Sequence, residues 1–221
     1  MTDDVELLSS IGGLDGLAEM LRRVRGDRGL SQEEVAERVG RRRRFVEQIE
    51  CGRAPQNAHV LTVALLSRAC EVSVGLFVAS FARPREDPLP WPREHRSPRR
   101  AVSIRPGATF GDTYRDLLAQ DAIAGAPALG ATLRDLRVRQ RDWPQRELAA
   151  RTGINQRYLS SLERGAVPYP LLLTLTRLGR ACGATTAEQI AYTTRLAQTY
   201  AGEIEAPPLG RPFASWPRRT R

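Results

Sequence analysis

The chain contains the same stretch twice. Laying residues 30–55 over residues 143–168 pairs Gln32 with Gln145, Glu34 with Glu147, Ala36 with Ala149, Arg38 with Arg151 and Gly40 with Gly153. Arg44, Glu50, Gly52 and Pro55 then meet Arg157, Glu163, Gly165 and Pro168, giving nine identities in 26 positions, far more than unrelated sequences share. Apolar positions correspond too: Val35 with Leu148, Val46 with Leu159, Ile49 with Leu162. After a one-residue slip Ser67 to Cys70 meets Gly179 to Cys182, so each copy spans about 65 residues. Such a chain is constrained to fold as two like units.

The period inside each copy is helical. In the first, Leu17, Met20, Leu21 and Val24 share one face of a helix that Asp15 can cap and Gly29 ends. Ser31 and Glu34 form a capping box for a short helix reaching Val39. Gly40 makes a turn, a third helix runs to about Glu50, and Gly52 sits where a left-handed stop is wanted. Helices near 58–69 and 74–81 follow. The second copy reads as helices from Thr132 to Arg141, Gln145 to Thr152, Gln156 to Glu163, Leu171 to Cys182, and Thr186 to about Ile204.

The expected fold is therefore all-α, with two five-helix units at residues 14–82 and 129–206. A linker covers 83–128. Six prolines within 83–111 favour extended chain there, and Asp112 can cap one amphipathic helix over 113–124, stopped by Gly125. A basic tail occupies 207–221.

Charge separates the units from what joins them. The net charge is +9, yet residues 1–82 carry 11 arginines against 12 acids and residues 112–206 carry 12 against 10. The excess lies in residues 83–111, with 7 arginines and 3 acids, and in the tail, with 4 arginines and no acid. A basic linker and tail suit a polyanionic partner. The acidic start, with Asp3, Asp4 and Glu6 and no long apolar run behind them, lacks the pattern of a signal peptide, so a cytoplasmic, nucleoid-associated protein with no membrane partner is expected. Cys51, Cys70 and Cys182 form no CxxC pair, which points to reduced thiols, with Cys70 and Cys182 packed and Cys51 exposed. His59 and His95 have no metal-ligand spacing, and no phosphate loop or nucleophile elbow occurs. No metal, cofactor, small-molecule ligand or enzymatic activity is expected.

The first copy carries Leu21, Val24, Arg25, Gly29, Leu30, Ser31, Gln32, Val35 and Ala36; the second carries Leu133, Leu136, Arg137, one additional residue, then Trp143, Pro144, Gln145, Leu148 and Ala149. This pattern resembles the lambda-repressor-like helix-turn-helix domains of phage repressors and Xre-type bacterial regulators. The resemblance implies double-stranded DNA as the partner and the third helix of each unit as its reader. An α-helix fits the major groove, where base edges show distinguishable donors, acceptors and methyl groups. With Val46, Ile49, Leu159 and Leu162 turned inward, Arg43, Arg44, Glu47 and Gln48 face outward in one copy, and Gln156, Arg157, Ser160 and Ser161 in the other. Arginine suits guanine, glutamine suits adenine, and glutamate accepts from cytosine. Asn155 joins the second set.

The same resemblance implies that Gln32 and Gln145, at helix starts, anchor the readers on phosphate. It also implies structural ion pairs, Arg25 with Glu50 and Arg137 with Glu163. Arg41 departs from the pattern, standing where the family is apolar and where the second copy has Ile154. Either its stem snorkels outward or the turn is altered, and Arg41, Arg42, Arg43 and Arg44 together read as an electrostatic clamp on phosphates. Phe45 and Tyr158 read as core.

The expected function is a sequence-specific transcriptional regulator, a repressor by the habit of the family, using two non-identical readers. One chain could serve as a monomeric pseudo-dimer on an asymmetric site. A homodimer is the other arrangement, with Ile190, Ala197, Tyr200 and Ile204 as a candidate interface, although packing within the chain explains that stripe better. The alternative function is a protein-interaction module, an antitoxin or anti-activator in which one repeat no longer binds DNA.

Overall fold

Left-handed residues recur at equivalent turns of the two halves: Gly29, Gly40 and Gly52 in the first, with φ of 63°, 65° and 65°, and Asp142, Gly153 and Gly165 in the second, with φ of 51°, 65° and 72°. A computed structural model describes residues 10–53, 58–87, 125–183 and 185–206. The expected helix 113–124, His95, Pro55 and the tail lie outside the described residues.

The first half contains α1 (Gly13–Asp27), α2 (Gln32–Arg38), α3 (Arg43–Glu50), α4 (Val60–Ala69) and α5 (Val74–Ala82). The second contains α6, helical from residue 125 to 135 and running into a π-helical turn (Leu136–Gln140), then α7 (Gln145–Thr152), α8 (Gln156–Glu163), α9 (Leu172–Cys182) and α10 (Thr186–Tyr200). The fold is all-α, with two five-helix units, and the only β-pairing among the described residues is two isolated bridges.

Local chemistry accounts for most of these limits. The Ser31 hydroxyl accepts from the Glu34 amide, and the Glu34 carboxylate accepts from the Ser31 amide, which completes the expected capping box of α2. Asp15 does not cap α1. The helix begins at Gly13, and Asp15 lies in its first turn, paired with Arg85. Residues 84 and 85 return to the first unit, Pro84 bridging Ile11 and the Arg85 amide donating to Ser10 O. Gly125, expected to stop a helix, is itself helical, because α6 starts earlier than its apolar period suggests. A Cβ there would come within 2.3 Å of Tyr200 O, so glycine serves close packing instead. At the other end α10 stops at Tyr200, before Ile204, with left-handed Gly202 turning the chain.

The additional residue of the second copy has a physical location. Inserting one residue into an α-helix produces a π-turn, and Leu136–Gln140 is one, in the segment between Arg137 and Trp143 where the two copies fall out of register. The insertion is absorbed before the turn, leaving Asp142 left-handed opposite Gly29.

Helices that are apolar all round need neighbours on every side. In α5, Val74, Leu76, Phe77, Val78 and Phe81 are all buried, because α1 packs on one side and α10 of the other half on another. The two cores merge into one apolar cluster. Ala197 and Tyr200 of the candidate dimer stripe are buried inside the chain, and the Tyr200 hydroxyl donates to Pro168 O at 2.8 Å.

The halves also meet at a seam. His59 and Leu171, equivalent positions of the two copies, form an antiparallel bridge. The Val60 amide donates to Pro170 O at 3.0 Å, and the Leu172 amide donates to Ala58 O at 2.9 Å. These bonds are each other's counterparts in the repeat, so a local two-fold axis passes through the bridge, as at an isologous dimer interface.

Candidate nucleic-acid interface

Each third helix is fastened from beneath by one carboxylate. Glu50, at the end of α3, is buried; the Arg25 Nε donates to its Oε1 at 2.7 Å and Nη2 to its Oε2 at 3.2 Å, while Arg25 Nη1 donates to Leu30 O at 2.9 Å. Gln32 Nε2 adds a bond to Glu50 Oε2 at 2.7 Å, and Arg22 donates to the Glu50 backbone carbonyl. The hydrogen bond that Arg25 donates to Glu50 holds its guanidinium above its ordinary pKa, against the opposing effect of burial.

The second copy repeats the four bonds made by Arg25 and Gln32. Arg137 Nε and Nη2 donate to Glu163 Oε1 and Oε2 at 2.6 and 2.8 Å, Arg137 Nη1 to Trp143 O at 2.6 Å, and Gln145 Nε2 to Glu163 Oε2 at 2.9 Å. Arg25, Glu50, Arg137 and Glu163 therefore join the first helix of each unit to the third. Gln32 and Gln145 direct their amide nitrogens at these carboxylates, a contact that sequence reasoning did not foresee.

With Val46, Ile49 and Glu50 buried, α3 leaves Arg43, Arg44, Glu47 and Gln48 exposed, with Arg42 exposed just ahead of it. Arg43 Nε reaches Gln32 Oε1 at 3.3 Å and so lies across the start of α2. Arg41 is half-buried, its guanidinium 5.3 Å from the centre of the Phe45 ring. Gly40 and Gly153 share a φ of 65°, so Arg41 stands after the same left-handed glycine as Ile154 does. Phe45 and Tyr158 are both half-buried against the core.

In α8, Leu159, Leu162 and Glu163 are buried, and Gln156 and Arg157 are exposed, with Ser160 and Ser161 half-buried beside them. Asn155 is exposed, but its Oδ1 caps the helix by accepting from the Arg157 amide at 2.8 Å. These residues, with Gln145, line an open concavity that Arg164 closes, its Nη2 donating to Ser161 Oγ at 3.3 Å. Arg164 was not among the expected contacts. Its position three residues beyond Ser161 on a helical face is the signal that could have identified it.

The two faces differ in chemistry. The first carries a run of guanidinium groups and one carboxylate; the second carries amides, hydroxyls and fewer cations. Both are polar and open, suited to an extended polar partner more than to an enclosed small molecule. Among the described residues no group of histidine, cysteine and carboxylate side chains could hold a metal ion, and no helix is long and apolar enough to cross a membrane.

A family model described as a helix-turn-helix domain matches residues 17–77 and, separately, residues 128–192, together more than half of the chain. No curated protein and no solved structure matches it.

Proposed function

The chain belongs to the helix-turn-helix family, carrying the domain twice, and from that premise we propose that it is a sequence-specific transcriptional regulator, acting as a repressor, that reads double-stranded DNA with α3 and α8. The observation that carries this reading is the duplicated Arg–Glu–Gln cluster beneath two exposed helix faces of different chemistry. A fold that keeps the Arg–Glu–Gln support of its reader while changing the reader suits two unlike half-sites.

Arg42, Arg43 and Arg44 meet phosphate and guanine, Glu47 and Gln48 meet bases in the same half-site, and Gln156, Arg157, Ser160 and Ser161, with Asn155 at the helix start, read the other. Bidentate pairs of this kind discriminate by about 1–3 kcal/mol each. Because the seam at His59 and Leu171 has the symmetry of a dimer interface within one chain, a single molecule occupies one asymmetric site in the cytoplasm, where a conventional member would need two copies on a palindrome.

Titrating the protein onto genomic duplex fragments tests this. Selected fragments should be enriched, with affinity falling steeply as salt rises because bound arginines release counterions. Flat salt dependence with no enriched sequence would favour a protein partner, as the near-neutral charge of each unit allows.

A further inference from the structure

Helix α5 caps itself only in part. Ser73 is its N-cap and accepts from the Gly75 amide at 3.1 Å, but the residue three beyond the cap, where a capping box needs a carboxylate, is the buried Leu76. The equivalent helix α10 has the complete box, Thr185 with Glu188. The missing carboxylate comes from the other repeat. Glu203 accepts from the Val74 amide through Oε1 and from the Ser73 hydroxyl through Oε2, both at 2.6 Å, and Gln198 Nε2 donates to Ser73 Oγ at 3.2 Å. Left-handed Gly202, just past the end of α10, brings Glu203 to this position.

This cap is the far brace of the joint between the halves. The seam at His59 holds the start of α4, and Glu203 holds the chain just beyond its end, where Arg68 also donates to Ala201 O at 3.2 Å. Helix α4, ten residues and about 15 Å long, runs from the seam toward this second attachment. Together with the packing of α5 on α10, these separated polar attachments bear on the angle between the halves.

Resting on the reading of α3 and α8 as DNA readers, we propose that Glu203 is a positioning residue that sets the geometry between the two readers and thereby the spacing of half-sites the chain accepts. A rigid pair of binding modules gains from joint engagement only where their separation matches the target, whereas a hinged pair tolerates mismatch at lower gain.

The test uses the full chain and duplexes that it selects from a random pool, rebuilt with one or two base pairs added or removed between the half-sites, and with either half scrambled. The unaltered protein should lose about tenfold in affinity for each added or removed base pair. Glu203→Ala should bind each single half-site as the unaltered protein does, yet show a spacing penalty of about threefold or less, with Glu203→Gln, which keeps an acceptor for the Val74 amide, in between. If Glu203→Ala fails to fold, Glu203→Gln alone decides, by a flattened or an unchanged spacing profile. An unchanged profile, or an equal loss on single half-sites, overturns the role of Glu203. Selection of no two-part site at all overturns the DNA reading beneath it, a different and separately recognisable failure.

Discussion

Arg137 and Glu163 are joined by two hydrogen bonds of 2.6 and 2.8 Å, with side chains only 9% and 3% exposed, across 26 residues of chain. Removing one partner leaves the other charge buried and unpaired, so Glu163→Ala should destabilise the protein by about 3–5 kcal/mol. Arg25, in the equivalent pair, is 23% exposed and retains more water, so Glu50→Ala should cost less. Urea denaturation of both variants checks the order; an unchanged midpoint for Glu163→Ala would contradict a structural role for the pair.

The three thiols should separate sharply by reactivity. Burial pushes the Cys70 and Cys182 thiols up from 9.0 to about 12, while Cys51 is exposed. A thiol reagent near neutral pH should modify one cysteine in the folded protein and all three after unfolding. The sign for stability follows from linkage. The unfolded chain gives up these protons more readily, so their contribution is complete below the ordinary thiol range and declines as pH rises from about 9 toward 12. Melting temperatures across alkaline pH would show the decline.

Each reader should control its own half of the site. Gln48→Ala should relax base preference in one half and Gln156→Ala in the other, each by about 1–3 kcal/mol. Arg42→Gln, a phosphate contact by this account, should weaken binding to all sequences alike and lower the salt slope by about 0.9. Competition binding against single-base variants separates the two behaviours. Both glutamine variants affecting the same half would break the assignment.

Gly130 marks where α6 crosses the end of α8. A Cβ there would fall 2.6 Å from the backbone oxygens of both Leu162 and Glu163, and backbone cannot step aside as a side-chain end can. Gly130→Ala should therefore destabilise by about 1–3 kcal/mol, measurable by thermal unfolding. Its counterpart in the first copy is Ala18, already accommodated there in a buried position.

The local structure was legible wherever it depends on neighbours in sequence. Helices α7 and α8 have the limits their patterns predict, and the Ser31 box and the glycine turns are where the residues place them. The ion pairs were reached through resemblance and are present. What depends on distant chain was not legible. Gly125 reads as a stop until Tyr200 lies against it, and no local rule connects Glu203 to Ser73 across 130 residues. The role of Gln32 in the Glu50 cluster was likewise hidden, because a glutamine at a helix start is equally suited to phosphate. Subtracting the buried positions leaves Arg43 and Gln156 exposed, as they are, but stops one turn short of Arg164.

One chain is proposed to read two different half-sites. Selection from a random duplex pool, followed by sequencing and by measuring the mass of the resulting complex, tests it most directly. The expected result is one molecule per duplex on a two-part motif whose halves differ, with centres one helical turn apart, roughly 34 Å. A palindrome occupied by two chains, or no enriched sequence, would contradict it.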